Sequence, residues 1–418
     1  MSYKMAEEVH CMHFVERKKR YCRMTVRKGN KYCGEHQGLS LDINRDTNGR
    51  PEDKRVKCPL DSKHTCYESK LSKHLKVCNA KQLLDSQPSF IVKGINLDKT
   101  CETSQHVPLH ELNQLVIDAV INKVKDAYEK LPQFPQMVLE HNVLQSKVND
   151  EYCGKAVKKH LLQNSSLLSH LERSGLVQDN TCFIEFGAGK GKLTYWLGQM
   201  IKDMKDSCIL LVDRSSHRHK SDNKLKNEQS SLEIKRIRAD IADLKLNDVR
   251  EIQKFNYKVG IAKHLCGSAT DLTINCLARA MQNEPKCNIT GLIIAFCCHH
   301  RCEYASYVGK EYLEQCGFTS NEFPILCSIA SWATCGSTIN KTAINPDGPN
   351  DLSDTRTSGK HLISSERENI GRKVKSLLNW GRLKFLETIG FRSNLIYYTT
   401  TEISLENMCI ISTKDQIK

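Results

Sequence analysis

Three glycines at alternate positions constrain this chain more than any other feature of its 418 residues. Gly187, Gly189 and Gly191 follow an apolar, strand-like run and precede a helix-compatible segment. Glycine adopts left-handed backbone conformations without steric cost, and its missing side chain lets a ligand approach the backbone closely. A strand, a glycine-rich turn and a helix in this order are typical of the ligand-binding edge of an open α/β sheet.

Two common phosphate-binding loops do not match this stretch. A dinucleotide-binding loop reads G-x-G-x-x-G, but Lys192 occupies the sixth position here. A P-loop reads G-x-x-x-x-G-K followed by Ser or Thr, but only three residues separate Gly187 from Gly191 and Thr194 comes one position late. The stretch instead resembles the E-x-G-x-G-x-G loop of Rossmann-like methyltransferases that bind S-adenosylmethionine. That similarity would make Glu185 and the three glycines cofactor-binding residues.

Two acidic residues downstream support a nucleoside ligand. Asp213 follows the second apolar run, 22 residues after Gly191, where a carboxylate can accept hydrogen bonds from both ribose hydroxyls. Asp240 follows the third run, where such methyltransferases often hold the edge of adenine, although Asp243 competes for this role. The alternative for each aspartate is an ordinary turn residue at the end of a strand.

The second half of the chain has the pattern of an α/β fold with a parallel sheet. Apolar, strand-like runs with helix-compatible segments between most of them occur at 182–186, 208–212, 232–237, 257–262 and 289–296. Two further runs, at 394–399 and 407–412, are predicted to be the closing strands. Together with the resemblance of the glycine loop, this pattern predicts a Rossmann-like, S-adenosylmethionine-dependent methyltransferase domain at 151–418. Its insertion at 338–361, rich in Asn, Ser and Gly, is expected to be disordered. A linker with a helix is predicted at 83–150.

The chain carries 20 cysteines, and their context indicates metal binding rather than disulfides. The N-terminal residues lack the apolar core of a secretory signal, so we expect an intracellular protein, cytoplasmic, nuclear or both, that is not secreted. No run of about 18 apolar residues is present, so no membrane span is expected. In a reducing compartment, clustered Cys and His are typical of metal sites.

One such cluster predicts a CHHC-type zinc finger at 55–82. Its four ligands are Cys58, His64, His74 and Cys78. Thiolates and imidazoles are the donors that tetrahedral zinc prefers. The last two ligands are four residues apart and so share one face of a helix, whereas Cys66 competes with His64.

A second cluster predicts a CCCH-type zinc finger at 8–40. Its ligands are Cys11, Cys22, Cys33 and His36, with His10 and His13 as substitutes. The glycine between the last two ligands permits a tight turn. Because protein side chains fill every position in both clusters, we predict two structural zinc ions rather than catalytic ones.

The net charge of +14 is concentrated near the N-terminus. Residues 1–80 contain 18 Lys or Arg against 10 Asp or Glu, and residues 17–23 place five cations beside Tyr21. A basic loop that carries an aromatic side chain and is held by zinc is a plausible phosphate clamp. The alternatives are a solvated surface and a nuclear-localisation patch.

Candidate catalytic residues follow the fourth and fifth strand-like runs, because ligands of open α/β sheets bind at the carboxyl ends of strands. The fourth run leads to Lys263 and His264, and the fifth leads to His299 within 297–302, which reads C-C-H-H-R-C. A lysine or histidine there can deprotonate a nucleophile. A third metal site or a methyl-accepting cysteine in 297–302 is a weaker alternative, because neighbouring side chains on a strand point to opposite faces.

Together and in this order, these features resemble the eukaryotic tRNA 2′-O-methyltransferase family that modifies nucleotide four of the acceptor stem. The resemblance covers 10–80 and 150–415, although the second finger alone is also similar to one in a minor-spliceosome protein. It implies S-adenosylmethionine as the methyl donor and the acceptor stem of certain tRNAs as the substrate, with no obligate protein partner inferable. The catalytic roles of Lys263, His264 and His299 are inferred from their positions and not from the family.

Two other functions compete with this interpretation. The chain could be an RNA-binding adaptor with an inert Rossmann domain, or it could methylate protein or DNA. The complete glycine loop and Asp213 argue against the adaptor, because an inert domain does not require them.

Overall fold

The computed structural model describes residues 9–16, 19–26, 29–33, 36, 55–78, 81, 87–98, 108–217, 220–228, 232–283, 286–334 and 362–414. The chain divides into two compact units, Met1–Pro88 and Ser89–Lys418. The predicted insertion at 338–361 lies outside the described residues, as do residues 17–18 and 27–28 of the basic module. Within the described ranges, no helix is long and apolar enough to cross a membrane.

Within its described residues, the first unit contains two short hairpins and one short α-helix. Its antiparallel pairs are β1 Phe14–Val15 with β2 Arg20–Tyr21, and β3 Arg55–Cys58 with β4 Asp61–Tyr67, and α1 spans Leu71–Val77. Among the described residues of this unit, the buried apolar side chains are all cysteines. So little apolar burial cannot stabilise a module by itself, and another interaction has to hold these hairpins together.

A seven-stranded sheet forms the centre of the second unit, in the order β10-β11-β9-β8-β5-β6-β7. The strands are β5 Thr181–Phe186, β6 Cys208–Asp213, β7 Glu233–Arg238, β8 Tyr257–Cys266, β9 Ile289–Cys297, β10 Arg392–Tyr397 and β11 Met408–Thr413. Strands β5 to β9 are parallel, whereas β11 and β10 are antiparallel. The predicted α/β class is confirmed, and the chain crosses over between β5 and β8, where ligands of such sheets bind.

Helices cover both faces of this sheet. They are α2 Gln114–Glu129, α3 Asn142–Val148, α4 Lys155–Arg173, α5 Lys192–Met200, α6 Ser221–Asn227, α7 Arg250–Gln253, α8 Ser268–Gln282, α9 Lys310–Gln315, α10 Phe323–Ala330 and α11 Ser364–Thr388. Side chains of β5 alternate between two apolar cores: Ile184 and Phe186 enter one, and Phe183 enters the other. Both faces of the central strand are therefore buried, as its continuous apolar run predicts.

The segment predicted as a linker with a helix packs within the second unit where it is described. The side-chain amide of Asn96 donates to the carbonyl oxygens of Ile241 and Leu244 at 2.6 and 2.8 Å. Helix α2 buries Ile117 and Val120 in a third apolar cluster shared with α10 and α11. The apolar face of α2 therefore covers part of the second unit.

Candidate active site and metal centres

The glycine loop connects β5 to α5 in a left-handed backbone conformation. The φ angles of Gly187, Gly189 and Gly191 are +64°, +52° and +70°. A Cβ atom on Gly187 would lie 2.7 Å from Cδ2 of Leu265, so a side chain there would force Leu265 of β8 to move. A Cβ on Gly189 would approach nothing closer than the Gly187 carbonyl oxygen at 4.0 Å and would face open space. The close approach of a ligand is therefore expected at Gly189.

Asp213, at the end of β6, contacts this loop directly. Its Oδ2 accepts a hydrogen bond from the backbone N–H of Gly189 at 2.7 Å, and its Oδ1 accepts one from Ser215 at 2.7 Å. The carboxylate therefore lies beside the open space at Gly189, as a ribose-binding residue would. Asp240 is exposed and caps a short 3-10 turn by accepting from the N–H of Ala242 at 3.0 Å. The cofactor roles of both aspartates stay predictions.

An ion pair that the sequence did not predict contacts the backbone of the glycine loop. Nη2 of Arg236 lies 2.8 Å from Oδ1 of Asp222, whose side chain is 2% exposed. Nη1 of the same arginine donates to the Gly189 carbonyl oxygen at 3.0 Å. A buried charge-assisted pair of this kind is stronger than a neutral contact, so it holds the backbone of Gly189 in place.

Glu185 lies within β5, directly before the loop, and is buried. It accepts a hydrogen bond from the hydroxyl of Thr194 in α5. Burial raises the pKa of Glu185 to about 7, although the contacts with Thr194 act in the opposite direction. The carboxyl group thus connects the strand to the helix that follows the loop, and its predicted contact with the cofactor stays a prediction.

Lys263 lies near the carboxyl end of β8, and its ammonium group is held by α4. Nζ donates to Oδ1 of Asn164 at 2.7 Å and to the carbonyl oxygen of His160 at 3.2 Å. Burial lowers the pKa of Lys263 to about 7; Glu185 counteracts this effect and Lys192 adds to it. At pH 7 a lysine with this pKa is about half neutral, and the neutral amine can accept a proton.

The structure places the two predicted catalytic histidines in different surroundings. His264 is partly exposed and has a left-handed φ of +64°, at a register shift between β8 and β9. Burial, Lys263 and His160 lower the pKa of His264 to about 4. His299 is 2% exposed, and its Nε2–H donates to Oδ1 of Asn379 at 2.8 Å. Burial also lowers the pKa of His299.

Asn164, the hydrogen-bond partner of Lys263, was not predicted, but it lies in a recognisable sequence pattern. Residues 163–166 are four consecutive polar residues between leucines in α4, and all four are buried. Buried polar side chains require hydrogen-bond partners, so this run could have identified Asn164 as a site residue. Asp222 and Arg236 have no such local signal, because they meet only when α6 packs beside β7.

The four predicted ligands of the first finger converge in the structure. The ligand atoms of Cys11, Cys22, Cys33 and His36 all lie within 4.8 Å of one another. Nδ1 of His36 is 3.4 Å from Sγ of Cys11 and 3.3 Å from Sγ of Cys33. A tetrahedral zinc ion separates a sulfur from a nitrogen ligand by about 3.6 Å and two sulfurs by about 3.8 Å. The donor set therefore fits zinc.

The second finger has the same geometry. The ligand atoms of Cys58, His64, His74 and Cys78 also lie within 4.8 Å of one another. The two sulfurs are 3.8 Å apart and the two Nε2 atoms are 3.1 Å apart, close to the edges of a tetrahedron around zinc. Cys66, the rival ligand, stands outside this group.

Replacing Cys58 with Ser, or His74 with Ala, is expected to lower the zinc content by about one ion per chain. The first unit should also lose protection from proteolysis, because metal-binding energy here is folding energy. Metal analysis and limited proteolysis of the purified protein measure both effects. Cys66→Ser is the matched control, because Cys66 is buried in the same hairpin and should keep all the zinc. Unchanged zinc in Cys58→Ser would contradict the assignment.

Three protein-family models match parts of this chain. The family model "Methyltransferase TRM13" matches residues 162–413, "CCCH zinc finger in TRM13 protein" matches 9–37, and "U11-48K-like CHHC zinc finger" matches 55–79. Among solved structures, a magnesium protoporphyrin IX methyltransferase from Synechocystis PCC 6803 with bound SAH is 13% identical with a TM-score of 0.29. That alignment covers 72% of this chain and 99% of that one.

Relatives align with this chain over nearly its whole length. The "tRNA:m(4)X modification enzyme TRM13 homolog" of Mus musculus is 35% identical over 96% of this chain and 93% of its own length. The homologue of Homo sapiens is 35% identical over 96% of this chain and 94% of its own length. TRM13 of Saccharomyces cerevisiae is 29% identical over 98% of this chain and 96% of its own length. With the family model matched across the sheet and both finger models matched before it, the chain belongs to the TRM13 methyltransferase family.

Proposed function

We propose that this chain transfers a methyl group from S-adenosylmethionine to the ribose 2′-OH of nucleotide four in the acceptor stem of tRNA. The observation that carries the proposal is the meeting of the Gly189 loop and the Lys263 strand at one edge of the sheet, where Gly187 contacts Leu265. The names of the relatives, which describe tRNA modification enzymes, support tRNA as the substrate. The ribose hydroxyl and the position in the stem follow from the resemblance to the 2′-O-methyltransferase family.

The loop residues fit the proposed cofactor. The open space at Gly189 and the adjoining carboxylate of Asp213 suit an adenosine ribose. When bound, the cofactor supplies an activated methyl group. The chain then has to align the acceptor hydroxyl with this group and exclude water.

Lys263 is the proposed general base. A ribose hydroxyl is a weak nucleophile near pH 7 unless its proton is removed. Asn164 and the His160 carbonyl orient Nζ of Lys263, and burial keeps much of the amine neutral, so the hydroxyl proton can pass to Nζ as the oxygen attacks. His299 is less suitable as a base, because it is buried and already bonded to Asn379.

The rate of methyl transfer is expected to rise with pH and to level off above about pH 7. The neutral amine of Lys263 is the active form, and its pKa is lowered to about 7. Below this value the neutral fraction falls about tenfold per pH unit, and kcat should fall with it. The measurement is kcat across pH 5.5 to 9 at saturating cofactor and tRNA. A profile that is flat through pH 7 contradicts Lys263 as the base.

The first finger presents the proposed tRNA contacts. Lys19 and Arg23 are exposed, and Tyr21 between them is 64% exposed, which suits phosphate contact and base or sugar stacking. Double-stranded RNA is read mainly by shape and through phosphates and 2′-hydroxyls of the minor groove. A rigid basic module is therefore suited to an acceptor stem.

Changing Lys19 and Arg23 to Glu is expected to raise the apparent KM for tRNA with little change in kcat. Each lost phosphate contact should lower the salt slope of tRNA binding by roughly 0.7–0.9, while the Kd of the cofactor stays the same. The matched control changes Lys125 and Lys130, which are exposed on or beside α2, to Glu and alters the net charge equally. If both variants change the KM and the salt slope equally, tRNA binding depends only on net charge and the first finger has no specific role.

Transfer of labelled methyl from S-adenosylmethionine to total tRNA, followed by nucleoside analysis, tests the proposed function. The expected product is a 2′-O-methylated nucleoside at position four of the acceptor stem. A base-methylated nucleoside would refute the ribose as the acceptor. No transfer to tRNA, with binding of tRNA retained, would favour the adaptor, and transfer to protein or DNA would favour the third interpretation.

A further inference from the structure

Three cysteines outside the two fingers converge at the carboxyl edge of the sheet. Cys266 ends β8, Cys297 ends β9 and Cys298 follows directly. Their three Sγ atoms lie within 4.8 Å of one another, and those of Cys266 and Cys297 are 3.8 Å apart. This separation equals the about 3.8 Å between two thiolates on one tetrahedral zinc ion.

The backbone explains why neighbouring cysteines point to the same place. Cys266 and Cys297 are direct partners in the register between β8 and β9. Cys298 has a φ of +52°, in the left-handed region that a non-glycine residue rarely adopts. This turn removes the strand alternation that would send the Cys297 and Cys298 side chains to opposite faces. All three thiols can therefore point to one site, contrary to the expectation from a regular strand.

The two turns after the strands also support each other. Gly267 has a φ of +59°, and a Cβ there would lie 2.2 Å from the Arg301 carbonyl oxygen. The turn at Gly267, after Cys266, thus packs against the backbone of Arg301, after Cys298. This contact leaves no room for a side chain at position 267. Strained backbone concentrates where surrounding structure or a ligand holds it, so these turns indicate a built site.

We propose that Cys266, Cys297 and Cys298 bind a third metal ion of the zinc class. Three thiolates are soft ligands, which select zinc or a similar ion over magnesium or calcium. Within the described part of the chain, no fourth His, Cys, Asp or Glu joins the group. Cys266 is exposed, so the cluster is open to solvent and a non-protein ligand can complete it. Three protein ligands with one open position are typical of catalytic rather than structural zinc.

The location gives this ion a role distinct from that of the fingers. It lies at the ends of β8 and β9, on the edge where open α/β sheets bind their ligands, and Cys266 follows Lys263 by three residues. The open position can therefore take an oxygen atom of the bound substrate. Metal binding itself does not depend on the proposed function, so its test does not require methyl transfer.

Metal analysis of the full chain tests the proposal. Wild-type protein purified without chelators is expected to contain about three zinc ions, and Cys266→Ser and Cys298→Ser about one fewer. Cys153→Ser is the matched control, because Cys153 is half-buried and stands outside the three cysteine groups found among the described residues. It should keep the wild-type content. Cluster variants with wild-type zinc content would overturn the proposal.

A second measurement needs no variant. Titration of the folded wild-type protein with a mercurial reagent should release zinc in three equivalents. Ordinary thiols are the alternative, since Sγ of Cys297 lies 3.3 Å from the Leu265 carbonyl oxygen and that of Cys266 lies 3.7 Å from the carbonyl of His264. Release of two equivalents, or a disulfide among the three cysteines detected by mass after alkylation without reduction, refutes the metal site.

Discussion

Replacing Gly189 with Arg is expected to abolish S-adenosylmethionine binding, by at least about a hundredfold in Kd, while the sheet stays folded. A Cβ there faces open space beside Asp213, so the new side chain enters the proposed cofactor site rather than the core. Its charge also opposes the cofactor's sulfonium. The left-handed φ of +52° adds backbone strain of about 1–3 kcal/mol, which a large domain tolerates. Calorimetry measures the affinity, and circular dichroism checks the fold.

Gly175→Arg is the matched control for this experiment. Gly175 has a φ of +69° and nothing within 4 Å of a Cβ, so the variant receives the same charge and similar strain away from the loop. It should bind the cofactor with wild-type affinity. Unchanged affinity in Gly189→Arg, or an equal loss in Gly175→Arg, contradicts the assignment of the loop as the cofactor site.

Replacing Lys263 with Met is expected to lower kcat by about 10²–10⁴-fold, the usual contribution of a positioned general base. Methionine keeps much of the side-chain volume but cannot accept a proton. The Kd of the cofactor should stay near the wild-type value, because the loop and Asp213 do not depend on the amine. Single-turnover rates at saturating tRNA, together with the pH profile, measure the effect. In the variant, the rise of the rate towards pH 7 should disappear from the pH profile.

Lys258→Met is the control, because Lys258 is 5% exposed on the same strand but at its opposite end. Its Nζ donates to the Phe255 carbonyl oxygen, so the variant is expected to lose stability but to keep the wild-type kcat. A Lys263→Met enzyme with kcat within threefold of wild type would exclude this lysine as the base. His264, its partly exposed neighbour, would then be the residue to test.

In the first unit, the spacing of residues along the chain is enough to predict the metal sites. The unit's eight predicted metal ligands follow from the intervals between cysteines and histidines, and the structure brings the ligand atoms of each set of four within 4.8 Å of one another. A finger consists of short hairpins and turns, so ligands that are close in sequence are also close in space. Likewise, the strand runs and the loop at Gly187 follow from apolar patterns and glycine positions that act within about ten residues.

The chemistry of the catalytic unit depends on contacts that no local pattern contains. Asn164 and Lys263 are 99 residues apart, and Asn164 reaches Nζ only because α4 packs beside β8. The lowered pKa of Lys263 follows from burial, which the residue's neighbours in sequence do not determine. The sequence alone therefore named Lys263 as a candidate, and the fold made it the best placed of the three proposed bases.

Cys266 and Cys297 show the same division between sequence and structure. From the sequence, the chain contains a cysteine-rich segment at 297–302 and a cysteine after the fourth run, with nothing to connect them. The register of two parallel strands makes Cys266 and Cys297 partners across 31 residues, and the left-handed turn at Cys298 adds the third thiol. The sequence determined which elements form and which ligands lie close along the chain. Only the tertiary structure decided which distant side chains meet, because strand order and helix packing are set by burial of the whole apolar core.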